Sequence, residues 1–287
     1  MATEGSAGHG PANASEYIVH HLGHWNTSGH PQTSIVDFSI INIDTVFWSV
    51  FTALLAAFVM YSAAKRINTG VPGRFVGAIE SLVEFVHEQA RSIVHGNVSY
   101  IAPLALTAFI WIVFMNTMDL LPVDLIPWLA GLIGISYQRV VPTADLNGAM
   151  ALSLVVLATS LFYGIKIKGA GGFVHELFTA PFGGGPSSGI GIIFKPVLWI
   201  VNFAMQIIEY LAKTVSLGMR LFGNMFAGEL VFMLIALLGA TATVWGYGLH
   251  FLTGLTWAIF HILIIVLQGF IFMMLTLVYI GQAHEHH

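Results

Sequence analysis

One helix-length stretch of apolar sequence carries polar side chains at a regular spacing. At about 100° per residue, six of them fall within roughly 40° of Arg220 on one helix face. They are Gln206, Glu209, Lys213, Ser216, Arg220 and Asn224. Arginine keeps its proton in proteins, and a fixed positive charge in a low-dielectric setting attracts a carboxylate and repels a free proton. This face therefore predicts an arginine that acts as a barrier between two halves of a proton path.

A second polar environment lies further along the chain. Glu229 comes nine residues after Arg220, so it points to the opposite side of a helix and lies about 13 Å further along its axis. In the last apolar stretch, His250, His261 and Gln268 share one helix face. Glutamate and histidine can both titrate near neutral pH when burial or neighbours shift them. If the two stretches form a hairpin, Glu229 and this face can meet.

Other interpretations of these residues stay open at this point. Glu209 and Lys213 have the i,i+4 spacing of an intrahelical salt bridge, and Asn224 suits a helix-packing hydrogen bond as well as a channel. Arg220 has no carboxylate three or four residues away. Three function classes compete with a proton path: a secondary cation/proton transporter, an intramembrane hydrolase and a structural scaffold. The transporter is disfavoured because the chain shows no paired, broken helices in two matching halves.

The elements that position these groups are membrane helices. Of the 287 residues, 56% are hydrophobic and 8% are charged, against about 25% charged in soluble domains. The apolar runs are continuous rather than alternating, which favours helices over a barrel. A spanning helix needs about 20 apolar residues. Five runs are long enough: 40–64, 100–118, 146–165, 192–238 and 251–280.

The rest of the chain lacks spanning runs. Residues 74–94 are amphipathic, which predicts a helix on the membrane surface or against a partner. Residues 1–38 are polar, with five histidines and neither Lys nor Arg, and we expect a mobile segment outside the bilayer. We expect residues 39–287 to form one membrane domain, with a loop over the Gly-rich residues 169–191. The chain has no cysteine, so thiolate metal sites are excluded. Its net charge is −4, which gives no sign of nucleic-acid binding.

Basic residues predict the orientation, because cytoplasmic loops are enriched in Lys and Arg. Four of them follow the first run, and Lys166, Lys168 and Lys195 follow the third. Arg139 alone falls in a loop of the other side. The N-terminus is therefore expected to be outside and the C-terminus in the cytoplasm, as an odd number of spans requires.

Several segments in a fixed order resemble subunit a of the bacterial F-type ATP synthase. The most specific is SLGMRLFGNMFAGEL at 216–230. Others are INIDTVFWSV, NTGVPGRF, YIAPLALTAFIWIVFMNTMDLLPVDLIP, RVVPTADLN and WAIFHILIIVLQGFIFMMLTLVYI. The resemblance extends from about residue 16 to residue 282.

This resemblance implies an all-α polytopic membrane protein that catalyses no reaction alone and needs no cofactor or metal. Such a subunit is a stator of the rotary membrane sector in the bacterial inner membrane. It carries protons to and from a ring of c subunits through two half-channels and thereby couples proton translocation to ATP synthesis. The implied partners are the c-ring, the peripheral-stalk subunit b (docked on the 74–94 helix) and the rest of the complex.

The resemblance also implies roles for single residues, most of them in a channel hairpin over 192–282. Arg220 matches the family's essential arginine, which forces a ring carboxylate to ionise and blocks leakage. The inlet half-channel maps onto Asn224, Glu229, His261 and Gln268. The exit side maps onto Lys213 and Ser216, with Glu209 one turn from Gln206, where the enterobacterial pattern has a glutamate. An inlet vestibule maps onto Asp44, Asp119, Asp124, Arg139 and Asp145.

Overall fold

Continuous apolar sequence folds into helices here because only a helix satisfies its own backbone hydrogen bonds within one segment. The computed structural model describes residues 14–28, 39–67, 70–94, 98–132, 134, 138–182, 191–239 and 243–283. These residues contain eight α-helices: α1 Ala14–His21, α2 Ile43–Ala64, α3 Arg74–Ile93, α4 Ile101–Thr117, α5 Leu125–Gly131, α6 Leu146–Thr179, α7 Gly191–Gly239 and α8 Val244–Gln282. Short 3₁₀ turns occupy Met118–Leu120 and Pro142–Ala144.

Five helices are long and apolar enough to cross a membrane, namely α2, α4 with its following 3₁₀ turn, α6, α7 and α8. Large apolar side chains such as Phe47, Phe51, Leu54 and Phe58 stand exposed along α2, as expected of a helix surrounded by lipid. No β-strand occurs among the described residues beyond one isolated bridge. The all-α polytopic fold is confirmed.

Helix α6 is longer than the sequence analysis predicts. The expected loop from residue 169 is wrong up to Thr179, because the chain breaks only at Gly169 (φ 73°) and then resumes as helix. Positive φ is available to glycine at little cost, so this residue redirects the helix without ending it. Beyond the break, the Phe173 ring packs on Gly164 and Phe178 stacks on Phe203 at 5.3 Å. The remainder of the predicted loop, residues 183–190, lies outside the described residues.

Helix α8 begins at Val244, seven residues before the predicted start at Phe251. The glycines at 246 and 248 resemble a connection, yet this turn is helical. His250 fixes it, since its Nδ1 lies 2.7 Å from the carbonyl oxygen of Ile235 and its ring lies against Gly239.

The N-terminal segment contacts the rest of unit 1 where the structure describes it, in residues 14–28; the mobile terminus stays a prediction. Ile43 N–H donates to the carbonyl of Trp25 at 2.8 Å, and Thr27 N–H donates to the carbonyl of Ile41 at 3.1 Å. The Tyr17 hydroxyl also donates to Asp124 at 2.9 Å. The other predicted tails, including His9, His30 and residues 284–287, lie outside the described residues.

The chain divides into two compact units that cut across the long helices. Unit 1 comprises Met1–Ala57, Trp111–Asp145 and Gly223–Leu267. Unit 2 comprises Phe58–Ile110, Leu146–Phe222 and Gln268–His287. The single membrane domain stays a prediction.

Unit 2 contains the principal apolar core. Buried residues of α3, α4, α8 and the segment after α3 pack together there: Val86, Ala90, Val94, Ile101, Ala102, Ala105, Met273, Leu277 and Ile280. Part of the apolar face of α3 is thus covered by this chain itself. Phe75, Val83 and Phe85 of the same helix remain exposed.

Candidate functional site

Unit 1 holds a buried arginine–glutamate pair. Arg139 belongs to the extended segment before the second 3₁₀ turn, and Glu229 belongs to α7; both side chains are at most 9% exposed. The Nε of Arg139 donates to both carboxylate oxygens, at 3.0 and 3.2 Å, and its Nη2 donates to Oε2. Phe226 places its ring 5.5 Å from the guanidinium. A forked arginine–carboxylate pair is strong and geometrically specific, so each charge offsets the other.

Asp44 connects this pair to the N-terminal segment. Its carboxylate is fully buried and accepts hydrogen bonds from the backbone N–H of Arg139 at 3.1 Å and of Trp25 at 3.1 Å. His24 lies between the two charged groups, with Nδ1 3.2 Å from Asp44 and Nε2 3.3 Å from Nη1 of Arg139. A continuous polar chain therefore runs from Asp44 through His24 and Arg139 to Glu229.

His261 of α8 forms a second buried pair in unit 1. Its Nε2 lies 2.8 Å from Asp119 Oδ2, with both side chains at most 5% exposed. The ring lies against Gly228, where a Cβ would come within 2.3 Å of the imidazole Cε1. Gly228 precedes Glu229, so His261 and Glu229 occupy neighbouring positions, as the hairpin expectation requires. The partner of His261 is nevertheless Asp119 rather than Glu229.

Two more predicted aspartates in unit 1 accept hydrogen bonds. Asp145 accepts from Asn42 Nδ2 at 2.9 Å and from Thr45 Oγ1 at 2.8 Å. Asp124 is exposed and accepts from Tyr17 of α1 at 2.9 Å. Burial and the neighbouring Asp124 carboxylate raise the pKa of Tyr17 above its usual value, so its hydroxyl stays a donor at neutral pH.

A cavity of about 40 Å³ adjoins the buried pairs of unit 1, and Asp119, Arg139 and Glu229 are among the residues that line it. One water needs roughly 10–15 Å³ of such space, so the cavity can hold a few waters beside both carboxylates. Titratable groups and water space thus occur together in this unit. Asn224, also of unit 1, is exposed.

Unit 2 contains the arginine on which the sequence analysis centres. The Arg220 side chain is partly exposed, and its charge acts on Tyr279 of α8 in the same unit. None of the ion pairs among the described residues includes Arg220, which agrees with its sequence spacing. Ser216 of the same face is exposed, and Gln268 is buried.

A larger cavity, of about 770 Å³, also belongs to unit 2. Two ion pairs lie along its wall: Lys168–Glu176 at 2.6 Å and Lys213–Glu209 at 2.6 Å. The second is the i,i+4 salt bridge that the spacing left open, and Lys213 also donates to Gln282 at 2.7 Å. The predicted exit residues Glu209 and Lys213 therefore line a polar cavity.

Several contact residues escaped the sequence analysis. His24 is one of five histidines in a segment without periodicity, so its spacing carried no signal. Asn116, whose buried oxygen accepts from Thr143 at 2.7 Å, sits in an apolar run where it resembles a packing residue. Glu176 was assigned to a loop, although a carboxylate eight residues after Lys168 was visible. Within the described residues, no cluster of three His, Asp or Glu side chains could hold a metal ion.

Comparison with known proteins connects this geometry to a family. Residues 46–281 match the family described as ATP synthase A chain. The chain belongs to this family. It is 55% identical to ATP synthase subunit a of Acidovorax sp. (strain JS42) over 97% of this chain and 98% of that protein. It is 53% identical to that of Paracidovorax citrulli (strain AAC00-1), over 97% and 98%, and 45% identical to that of Aliivibrio fischeri (strain MJ11), over 99% and 98%.

The ATP synthase A chain family therefore includes this chain over most of its length, and the resemblance read from the motifs is confirmed. Membership does not favour the secondary transporter as an alternative. The five membrane-length helices and these relatives together describe a multi-pass membrane protein.

Proposed function

We propose that this chain is the stator subunit of a rotary ATP synthase membrane sector, with two proton half-channels that serve a ring of c subunits. Two observations carry the proposal: buried, paired titratable groups beside a small cavity in unit 1, and a partly exposed arginine in unit 2 that is in none of the ion pairs among the described residues. The first arrangement suits proton transfer between fixed groups. The second suits attraction of a carboxylate supplied by another protein.

The inlet half-channel uses the polar residues that the family motifs indicate. A proton from the side of the N-terminus reaches the vestibule formed by Asp44, Asp119, Asp124, Arg139 and Asp145. It then passes Asn224, Glu229, His261 and Gln268 and neutralises a ring carboxylate. The neutral carboxyl group can enter lipid, because an uncharged group avoids most of the cost of burying an ion.

The exit half-channel uses the polar cavity of unit 2. Arg220 favours the ionised form of the arriving ring carboxylate, because opposite charges at short range stabilise that form. The released proton leaves through the cavity that Glu209 and Lys213 line, with Ser216 as a further polar contact. The chain acts as a non-catalytic component, since it moves protons and breaks no bond.

Pumping by inverted membrane vesicles tests this function. We expect Arg220→Ala to abolish ATP-driven proton pumping while the complex still assembles and hydrolyses ATP. The matched control is Arg66→Ala, which removes an exposed arginine in the segment after α2 and should pump at the native rate. Native pumping by Arg220→Ala would refute the proposed role.

The proposal also includes the membrane in which the chain lies and the side on which each terminus lies. The N-terminus is periplasmic and the C-terminus cytoplasmic, in the bacterial inner membrane. Because the chain has no cysteine, a single Ser28→Cys change gives one labelling site. We expect an impermeant maleimide to label it in intact spheroplasts; labelling only in inverted vesicles would reverse the orientation.

Helix α3 is the docking surface for peripheral-stalk subunit b. Its exposed apolar residues Phe75, Val83 and Phe85 remain available after the rest of the face has packed in unit 2. Changing these three to serine should reduce the amount of subunit b that copurifies with the complex. Unchanged copurification would exclude this surface.

A further inference from the structure

The N-terminal segment brings a histidine to the centre of the unit 1 polar chain. His24 follows α1, and the next residue holds it there through two hydrogen bonds: Trp25 N–H donates to the Asp44 carboxylate, and Ile43 N–H donates to the Trp25 carbonyl. Three charged or titratable groups face or act on its ring. They are Asp44 of α2, Arg139 of the extended segment and Glu229 of α7.

The contacts of His24 dictate its tautomer. Arginine nitrogens are donors only, so the Nε2 that faces Nη1 of Arg139 at 3.3 Å must accept. A neutral imidazole has one donor and one acceptor, so Nδ1 carries the hydrogen and donates to Asp44 at 3.2 Å. A protonated ring would present N–H to the guanidinium, lose this hydrogen bond and place two positive charges side by side. Only the neutral ring completes both contacts.

The ring therefore controls one side of the Arg139 guanidinium. Nε and Nη2 bind Glu229, and Nη1 binds His24. With both sides held, the guanidinium has one orientation against the carboxylate. Without the His24 contact, Nη1 loses this acceptor and only Glu229 orients the guanidinium.

We propose that His24 is a positioning residue of the inlet path, which orients Arg139 against Glu229 through its neutral Nδ1–H tautomer. The inference rests on the proposed function. It adds a residue from the N-terminal segment to the machinery.

The test uses the whole complex in proteoliposomes, with ATP synthesis measured at fixed pH and fixed driving force. We expect His24→Ala to lower the rate about tenfold, the effect of one hydrogen bond to a charged group. His24→Gln should keep most of the rate, because an amide offers one donor and one acceptor without titrating.

Two control variants distinguish this role from a general loosening of the N-terminal segment and from a failure of the proposed function. Tyr17→Phe removes one hydrogen bond of the same segment to Asp124 and should stay within twofold of native. A tenfold loss in Tyr17→Phe, a native rate in His24→Ala, or equal losses in both His24 variants would each overturn the inference. Arg220→Ala run in parallel reports on the proposed function alone: if it is inactive while His24→Ala is native, only the His24 assignment fails.

Discussion

Two arginines of this chain differ in whether another side chain of the chain pairs with their charge. Arg139 of unit 1 is buried and held by Glu229 and His24. Arg220 of unit 2 is partly exposed and is in none of the ion pairs among the described residues. A buried charge must be paired or it destabilises the fold. A charge that serves another protein must instead remain unpaired within its own chain. On the proposed function, Arg139 maintains the site and Arg220 acts on a partner.

The largest effect on the stability of the complex is expected when Arg139 is replaced. Arg139→Met leaves Glu229 buried without its counter-charge, which costs about 3–5 kcal/mol. Arg220→Met strands no partner in the described chain and should leave the folded amount near native. Quantitative immunoblots of the assembled complex measure both. Equal abundance of the two variants would contradict the distinction.

A double variant tests whether the Arg139–Glu229 pair serves proton movement as well as stability. Replacing both members of a buried ion pair by apolar residues of similar volume is often neutral or stabilising. We therefore expect Arg139→Met with Glu229→Leu to restore complex abundance towards native while proton pumping stays absent. If pumping returned with abundance, the pair would be purely structural, and the inlet path would have to avoid Glu229.

The next effect concerns how closely helices approach in the two units. Gly228→Ala would place a Cβ 2.3 Å from the ring of His261, which is buried and fixed by Asp119. We expect a loss of about 1–3 kcal/mol, typical of overpacking, seen as less complex surviving a heat step. Gly218→Ala in unit 2 meets the Met150 Sδ at 2.6 Å, a flexible end that can move, so the loss should be smaller.

A matched control exists on the same helix. Gly223 has no atom within 4 Å of an added Cβ, and alanine is the better helix former. Gly223→Ala should leave heat survival unchanged or slightly raised. If it behaved like Gly228→Ala, helix flexibility rather than the His261 contact would explain the loss.

These contrasts also show what sequence could and could not predict. The five spans follow from apolar length, because lipid imposes one solution on such segments. The α6 extension past Gly169 did not, since glycines that redirect a helix look the same as glycines that end one. Helical periodicity groups residues on one helix face, but it cannot pair Arg139 with Glu229, 90 residues apart.

For the roles of single residues, too, sequence motifs name residues but do not show which of them are in contact. The motif resemblance named Asp119 and His261 individually, and only the folded chain joins them at 2.8 Å. His24 was missed because its partners, Asp44 and Arg139, come from two other segments. Positions that act through a neighbour are therefore the ones for which three-dimensional contacts add most.

The smallest expected effect compares two ion pairs within unit 2. The Glu209 side chain is 50% exposed and the Glu176 side chain 27%. Exposed helix pairs contribute about 0.3–0.5 kcal/mol, so Glu209→Gln should reduce heat survival of the complex only slightly. Glu176→Gln should reduce it more, because its lysine partner is 9% exposed and the pair spans the break at Gly169.

Salt distinguishes the two pairs further. Surface charges are screened over about 8 Å at physiological ionic strength and over about 3 Å at 1 M, whereas buried pairs are screened much less. High salt should therefore erase the difference between Glu209→Gln and the native chain but preserve part of the difference for Glu176→Gln. If salt erased both equally, the Lys168–Glu176 pair would be an ordinary surface contact, and its place in the cavity wall would give α6 no added stability beyond the kink.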